Sequence, residues 1–137
     1  GQLLPTAKTI VITTPQVAAA EVAERSGSVG LQTGQSVFGV IDNMAWLVQP
    51  DGSKFELFGS GGGQAVADRL TTVSGQPVPL LGQIPLSIAL REGSDAGAPI
   101  VSTDAADPAA AVILEIAKKI AADRIGLAGK KLGLSVI

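Results

Sequence analysis

Val40 to Gly63 reads VIDNMAWLVQPDGSKFELFGSGGG, and the fold turns on how this stretch is read. It continues a buried apolar run, Ser36 to Ile41, which stops at Asp42-Asn43 where the first polar side chains emerge. A hairpin is expected next, turning at Asp51-Gly52 between Trp46-Val48 and Phe55-Leu57, and Asp-Gly favours a type I′ turn there. Phe58 and a glycine cluster, Gly59, Gly61, Gly62 and Gly63, then feed a helix whose apolar face is Val66, Leu70 and Val73. In an open α/β sheet, ligands sit at the carboxyl ends of parallel strands, which makes Asp42-Asn43 the first place to look for function.

Upstream, Thr9 to Thr13 is a β-branched run without polar alternation, as for a parallel strand covered on both faces. Thr14 as N-cap with Pro15 in the first turn predicts a helix from Gln16 to about Arg25, ended by Gly27. Ser28 to Gln35 then reads as a connection to the Ser36–Ile41 strand, and strand, helix, strand is the parallel crossover unit. Downstream, Pro77 to Gly82 predicts a third strand, ending at Gln83-Ile84-Pro85-Leu86 before a helical piece, Ser87 to Glu92. Gly93 to Pro99 reads as a loop and Ile100-Val101 as a short strand. Asp107 caps a last helix with Pro108 in its first turn, and Ala109, Val112, Ile113, Ile116, Ala117 and Ile120 make its buried stripe. Gln2-Leu3-Leu4-Pro5 reads as the end of an element already under way, so a fragment of a longer chain is expected.

The 137 residues are one domain's worth of chain, 46% hydrophobic but only 3% aromatic, so the core is aliphatic. Ten basic and twelve acidic residues are scattered without a basic stripe, which speaks against nucleic-acid binding. No apolar span reaches membrane length and no signal peptide is visible, so a cytoplasmic protein without membrane insertion is expected. With no Cys and no His, the chain offers no disulfide, no Cys-His or Ser-His-Asp nucleophile and no ordinary zinc site. No residue is assigned a catalytic or metal-binding role.

The glycine cluster fails as a phosphate loop, because Gly63 is followed by Gln64-Ala65 rather than Lys-Ser/Thr. It fails as a dinucleotide fingerprint too, since the third glycine would fall at Gln64. Its amides at a helix start leave a weak anion site or a plain connector as readings. Asp42 reads as a cap or as the acid ending a hydrophobic strand in P-loop enzymes. Asn43 reads as a turn former or as a donor and acceptor for a purine edge.

Five segments in register carry a resemblance. Thr13-Thr14-Pro15-Gln16, Gly39 to Met44, Phe58 to Gly63, Leu81 to Leu86 and Arg91 to Pro99 are similar to the C-terminal half of the Mrp/ApbC family, over roughly residues 2–122. These are iron–sulfur cluster carrier ATPases related to septum-site and chromosome-partitioning ATPases. The resemblance implies an α/β, partial P-loop NTPase-like three-layer fold with a mainly parallel sheet and an inserted β-hairpin. Residues 1–126 would be the C-terminal part of the ATPase domain, without its phosphate-loop half, and 127–137 a tail. It implies a homodimer that binds ATP with magnesium and passes clusters to apoprotein targets. Asn43 would hydrogen-bond adenine, and Ile84, Pro85 and Leu86 would line its pocket, with Pro85 packed on the base.

Two departures limit the carry-over. The family's phosphate loop and magnesium-binding acid lie upstream of the matched region, so the chain alone is expected to be inactive in hydrolysis. Many members carry Cys-Pro-x-Cys-Gly after the Asn-Met, where this sequence has Gln49-Pro50-Asp51-Gly52. Without thiolates the chain has no ligands for an iron–sulfur cluster of the family kind. Two rivals stand beside the carrier reading: a metal-free partitioning-type regulatory ATPase, and a non-enzymatic module that binds partners through hairpin 45–58. The strands missing from this half would leave an open sheet edge, so self-association is expected.

Overall fold

The computed structural model describes residues 7–125. β1 (Lys8–Thr13) and β2 (Ser36–Val48) run parallel, joined by α1 (Val17–Gln32). β3 (Lys54–Phe55) turns back antiparallel onto Leu47-Val48. After α2 (Gly62–Ser74), β4 (Leu80–Leu86) lies parallel to β2 on the flank opposite β1. Leu47 pairs with both Phe55 and Leu86, so β3 occupies β1's side of β2, beyond the end of β1. α3 (Ile88–Asp95), α4 (Ile100–Thr103) and α5 (Pro108–Ile125) follow.

Three layers result because β2 is apolar on both faces. Val37 and Val40 point into a core with Val11, Ala23, Val66, Ala67, Leu70 and Val78, beneath α1 and α2. Ile41 points the other way, to Leu81 and to Ile116 of α5. The α/β, mainly parallel architecture expected from the sequence is the observed one.

Several boundaries differ from expectation, each for a physical reason. α1 does not stop at Gly27 but runs to Gln32, and the expected Ser28–Gln35 connection is mostly helix. Gly27 and Gly30 are buried: a Cβ on Gly27 would lie 2.7 Å from Leu70 Cδ2, so the glycine lets α1 close onto α2. Thr14 is not the N-cap; Gln16 holds that position, in extended conformation. β2 runs past Ile41 to Val48, since β4 pairs with it at Asp42, Asn43 and Leu47. β4 begins at Leu80 rather than Pro77, and Ile84, Pro85 and Leu86 are its final residues.

The Asp51-Gly52 turn is not type I′, which needs two residues at positive φ. Only Gly52 is left-handed there (φ +83°); its N–H donates to the Gln49 carbonyl and the Gln49 N–H to the Ser53 carbonyl, each at 2.9 Å. That is a three-residue hairpin loop with a glycine bulge, held by the Asp51 carboxylate, which accepts from the Ser53 N–H. The return arm shrinks to Lys54-Phe55, and Leu57 lies beyond it. Ile100-Val101 is helix rather than strand, because the Pro99 carbonyl accepts from the Ser102 and Thr103 amides. α3 extends to Asp95, which shortens the loop before Pro99. Val73 and Ala117 face solvent, and Ala67 and Ala110 take the buried places beside the predicted stripes. Asp107 caps α5 as expected, accepting from the Ala109 N–H at 2.7 Å. Gln2–Pro5 and the 127–137 tail, with its boundary at 126, lie outside the described residues.

Candidate functional site

The carboxyl end of β1 and the middles of β2 and β4 meet the first turn of α2, and four parts of the sequence converge there: Thr13-Thr14-Pro15, Asp42-Asn43-Met44, Gly61-Gly62-Gly63 and Gln83-Ile84. Register fixes the meeting, with Thr13 opposite Asp42 on one flank and Gln83 opposite Asp42 on the other.

The glycines are here for contact. A Cβ on Gly62 would fall 2.5 Å from the Pro15 carbonyl oxygen and 2.8 Å from that of Thr14. One on Gly63 would fall 2.5 Å from Asp42 Cβ. Gly61, at φ +85°, supplies the left-handed residue that starts α2, and no side chain caps the helix locally. Asp42 of the neighbouring strand packs directly on that first turn, its Oδ2 3.0 Å from where a Gly63 Cβ would stand. The turn is closely packed on Thr14-Pro15 and on Asp42.

Asp42 is wholly buried. Its Oδ2 accepts from Gln83 Nε2 at 3.2 Å, while Oδ1 has no partner among the described residues. Burial pushes the carboxyl above the ordinary carboxylate range, and the bond from Gln83 and the Gly63 backbone pull it part of the way back. It does not end the strand, as the sequence suggested, because β2 continues past it to Val48. Thr14 Oγ1, nearby in the same convergence, is also buried without a partner among the described residues.

Asn43 is half-buried, and its Oδ1 accepts from the Met44 N–H at 3.0 Å. It is thus a local turn former through its oxygen, and its side-chain amide remains able to donate. It opens onto a groove of about 480 Å³ that runs along the outer edge of β1, between that strand and Ala19, Val22 and Ser26 of α1. Ile84 stands opposite Asn43 in the β2–β4 register and packs into the α5-side core. Pro85 and Leu86 line a different hollow, of about 390 Å³, with Leu47, Val48 and Ile88. The four residues expected to act together are neighbours in backbone, but Asn43 and the Pro85-Leu86 pair open onto separate spaces.

Met44 escaped the sequence reading. Its φ of +57° is left-handed for a side-chain-bearing residue, and the β2–β4 register shifts between Asn43 and Leu47. Nothing in the residue type signals this, since Met has no preference for that region. In the hairpin, Lys54 Nζ sits 3.7 Å from the centre of the Trp46 ring, so Trp46 packs against the return arm. No group of three or more His, Cys, Asp or Glu side chains positioned for a metal exists among the described residues.

Residues 1–121 match the family model described as ParA: NUBPL iron-transfer P-loop NTPase. A Mycobacterium leprae protein named iron-sulfur cluster carrier protein is 52% identical over 134 residues, which is 98% of this chain and 35% of that protein. A Synechocystis protein of the same name is 39% identical over 122 residues, covering 88% of this chain and 33% of its own length. The chain thus spans about a third of the relatives it matches. Among solved structures, the septum site-determining protein MinD with Mg-ADP from Pyrococcus horikoshii aligns with a TM-score of 0.64 at 22% identity, over 87% of this chain and 42% of that one. MinD from Aquifex aeolicus aligns at 0.62 and 20%, over 88% and 46%. Both share the fold.

Proposed function

Because this chain belongs to the ParA-type, NUBPL-like iron-transfer P-loop NTPases, we propose that it is the adenine-side portion of an ATP-binding iron–sulfur cluster carrier of the Mrp type. Asn43 reads the base and Ile84, Pro85 and Leu86 shape its surroundings. One observation carries the reading: Asn43 lies in the central strand β2 just past the last pair with β1, Thr13–Asp42, beside an open groove, with its oxygen engaged by Met44 and its amide left to donate. The chain has no Gly-Lys-Ser/Thr loop, so the phosphates and magnesium would be held by residues outside it. Alone it is inactive in hydrolysis. A cluster, as cargo, would need thiolates from elsewhere, since the sequence contains no Cys.

Calorimetric titration with Mg-ATP tests this on the 137-residue chain and on a chimera that adds the further residues of the Mycobacterium leprae relative. The chimera should bind, and Asn43→Ala should weaken it about tenfold, the value of one hydrogen bond in a desolvated site. The chain alone should show no turnover. An Asn43→Ala chimera that binds ATP as tightly as its parent removes Asn43 from the site. Absence of iron and sulfide in the isolated chimera would favour the metal-free partitioning-type reading.

A second reading has its own support. Leu47, Val48, Phe55 and Leu57 are exposed around the hairpin, a surface suited to an apoprotein target or another partner. The reading also includes a homodimer or self-association in the cytoplasm. Among the described residues no strand covers the outer edge of β1, where Ile12 is 63% exposed, and no helix is long and apolar enough to cross a membrane. Ile12→Lys places a charge on that edge and should shift the chain toward monomer in sedimentation velocity. An unchanged distribution would take β1 out of the association.

A further inference from the structure

Neither composition nor the family resemblance gives Asp42 a role, yet three separate elements close on it: Thr13 of β1, Gln83 of β4 and the glycine turn of α2. A buried carboxylate is costly unless it is paired or hydrogen-bonded, and one oxygen of this one has no partner among the described residues. α2 begins at Gly61 with no capping side chain, and its first turn packs on Asp42, where a Cβ on Gly63 would lie 2.5 Å from Asp42 Cβ and 3.0 Å from Oδ2, so the carboxyl group lies at the positive end of the helix dipole. The next residue along β2 is Asn43, followed by left-handed Met44.

We propose that Asp42 is a positioning residue, whose buried carboxyl group packs on the first turn of α2 and so holds the Gly61–Gly63 turn to the segment of β2 that carries Asn43. The inference rests on the reading of Asn43 as the base-recognising group, but its structural half stands without any nucleotide. The charged form attracts the positive end of the helix dipole and accepts from Gln83. The neutral acid loses the charge that binds the turn, so the turn and Asn43 should respond together to its titration. Among the described residues, no ionisable side chain faces it from β1, β4 or the first turn of α2; the groups that do are Thr13, Gln83 and the Gly63 amide. Its titration is therefore its own.

The sign follows from burial. A carboxyl whose folded-state affinity for the proton is raised binds the proton more readily folded than unfolded. The chain should thus lose stability as pH rises from about 3.9, the unfolded value, through the folded midpoint, and hold level above it.

NMR titration of the full 137-residue chain, with carboxyl-carbon and amide detection, reads all of this directly. The Asp42 carboxyl carbon should titrate with a midpoint above about 3.9. The Gly62 and Gly63 amides and the Asn43 side-chain amide should shift with that same midpoint. In Asp42→Asn, which keeps shape without charge, the shared titration should vanish from all three. Glycine-turn and Asn43 resonances that titrate with a different midpoint, or that keep their titration in Asp42→Asn, would overturn the proposal. Should Asp42→Asn fail to fold, the comparison of midpoints within the parent chain decides. Because no nucleotide enters, a negative result here leaves the ATP reading to its own titration. Conversely, a chimera blind to Asn43→Ala would leave Asp42's role in holding the turn intact and remove only its link to the base.

Discussion

Gly62→Ala should lower the free energy of unfolding by about 3 kcal/mol, although alanine is the better helix former. The added Cβ would stand 2.5 Å from the Pro15 carbonyl oxygen, 2.7 Å from its carbon and 2.8 Å from the Thr14 carbonyl oxygen. All three are main-chain atoms, so no rotamer change makes room; either α2 lifts off or the β1–α1 corner moves. The opposing term, alanine's helix propensity over glycine, reaches about 1 kcal/mol in a helix interior and is smaller in the first turn. The clash wins. Gly61→Ala makes a useful contrast, because nothing lies within 4 Å of its Cβ and only the left-handed φ of +85° is at stake, a cost of about 1–2 kcal/mol. Urea denaturation orders the two. With a slope of about 1.5 kcal/mol/M for a domain of this size, Gly62→Ala should drop the midpoint by about 2 M. A midpoint equal to the parent's would mean that α2 slides freely over Thr14-Pro15, and the convergence of elements beneath Asn43 would lose its rigidity.

This first turn also shows what was legible in the sequence and what was not. The strands and crossover were readable because β-branched runs such as Thr9–Thr13 and Ser36–Ile41 lack polar alternation, and burial on both faces demands that. Asp107-Pro108 announced α5 by local chemistry alone. The misreadings share one cause: a residue type with a local meaning was serving a distant contact. Gly27 looked like a helix stop and is instead the close approach of α1 to Leu70. Gly62 and Gly63 read as a weak anion site or a plain connector, and they are packing surfaces for Thr14-Pro15 and Asp42. Asp42 looked like the end of a strand, since nothing in the preceding apolar run says that β4 and β3 will extend the pairing past it. Met44 gave no sign at all. Candidate site residues were legible as strand segments, while the separation of Asn43 from Pro85 and Leu86 depends on which side of each strand faces which hollow. That depends on the kink at Met44.

The packing of α1 on α2 yields the second large effect. Leu70 is fully buried at the centre of the core beneath these helices, so Leu70→Ala should cost about 3–4 kcal/mol, lost transfer energy plus the cavity left behind. Gly27→Ala alone should cost much less, about 1 kcal/mol. Its Cβ would meet Leu70 Cδ2 at 2.7 Å and Cδ1 at 2.9 Å, but these are the ends of a flexible side chain, and the helical interior rewards alanine. The two substitutions compete for one volume. With Leu70 cut back, the methyl introduced by Gly27→Ala has no clash with it and fills part of the void, so alanine's helix propensity is gained without that opposition. The double variant should therefore be no less stable than Leu70→Ala, with a coupling of about 1 kcal/mol or more in the favourable direction. A double-mutant cycle from urea midpoints measures it. Strict additivity would mean that the core relaxes around Leu70→Ala before the new methyl can use the space. In that case the glycine would be required for its closeness to Val11, 3.3 Å from the same Cβ position, rather than for Leu70.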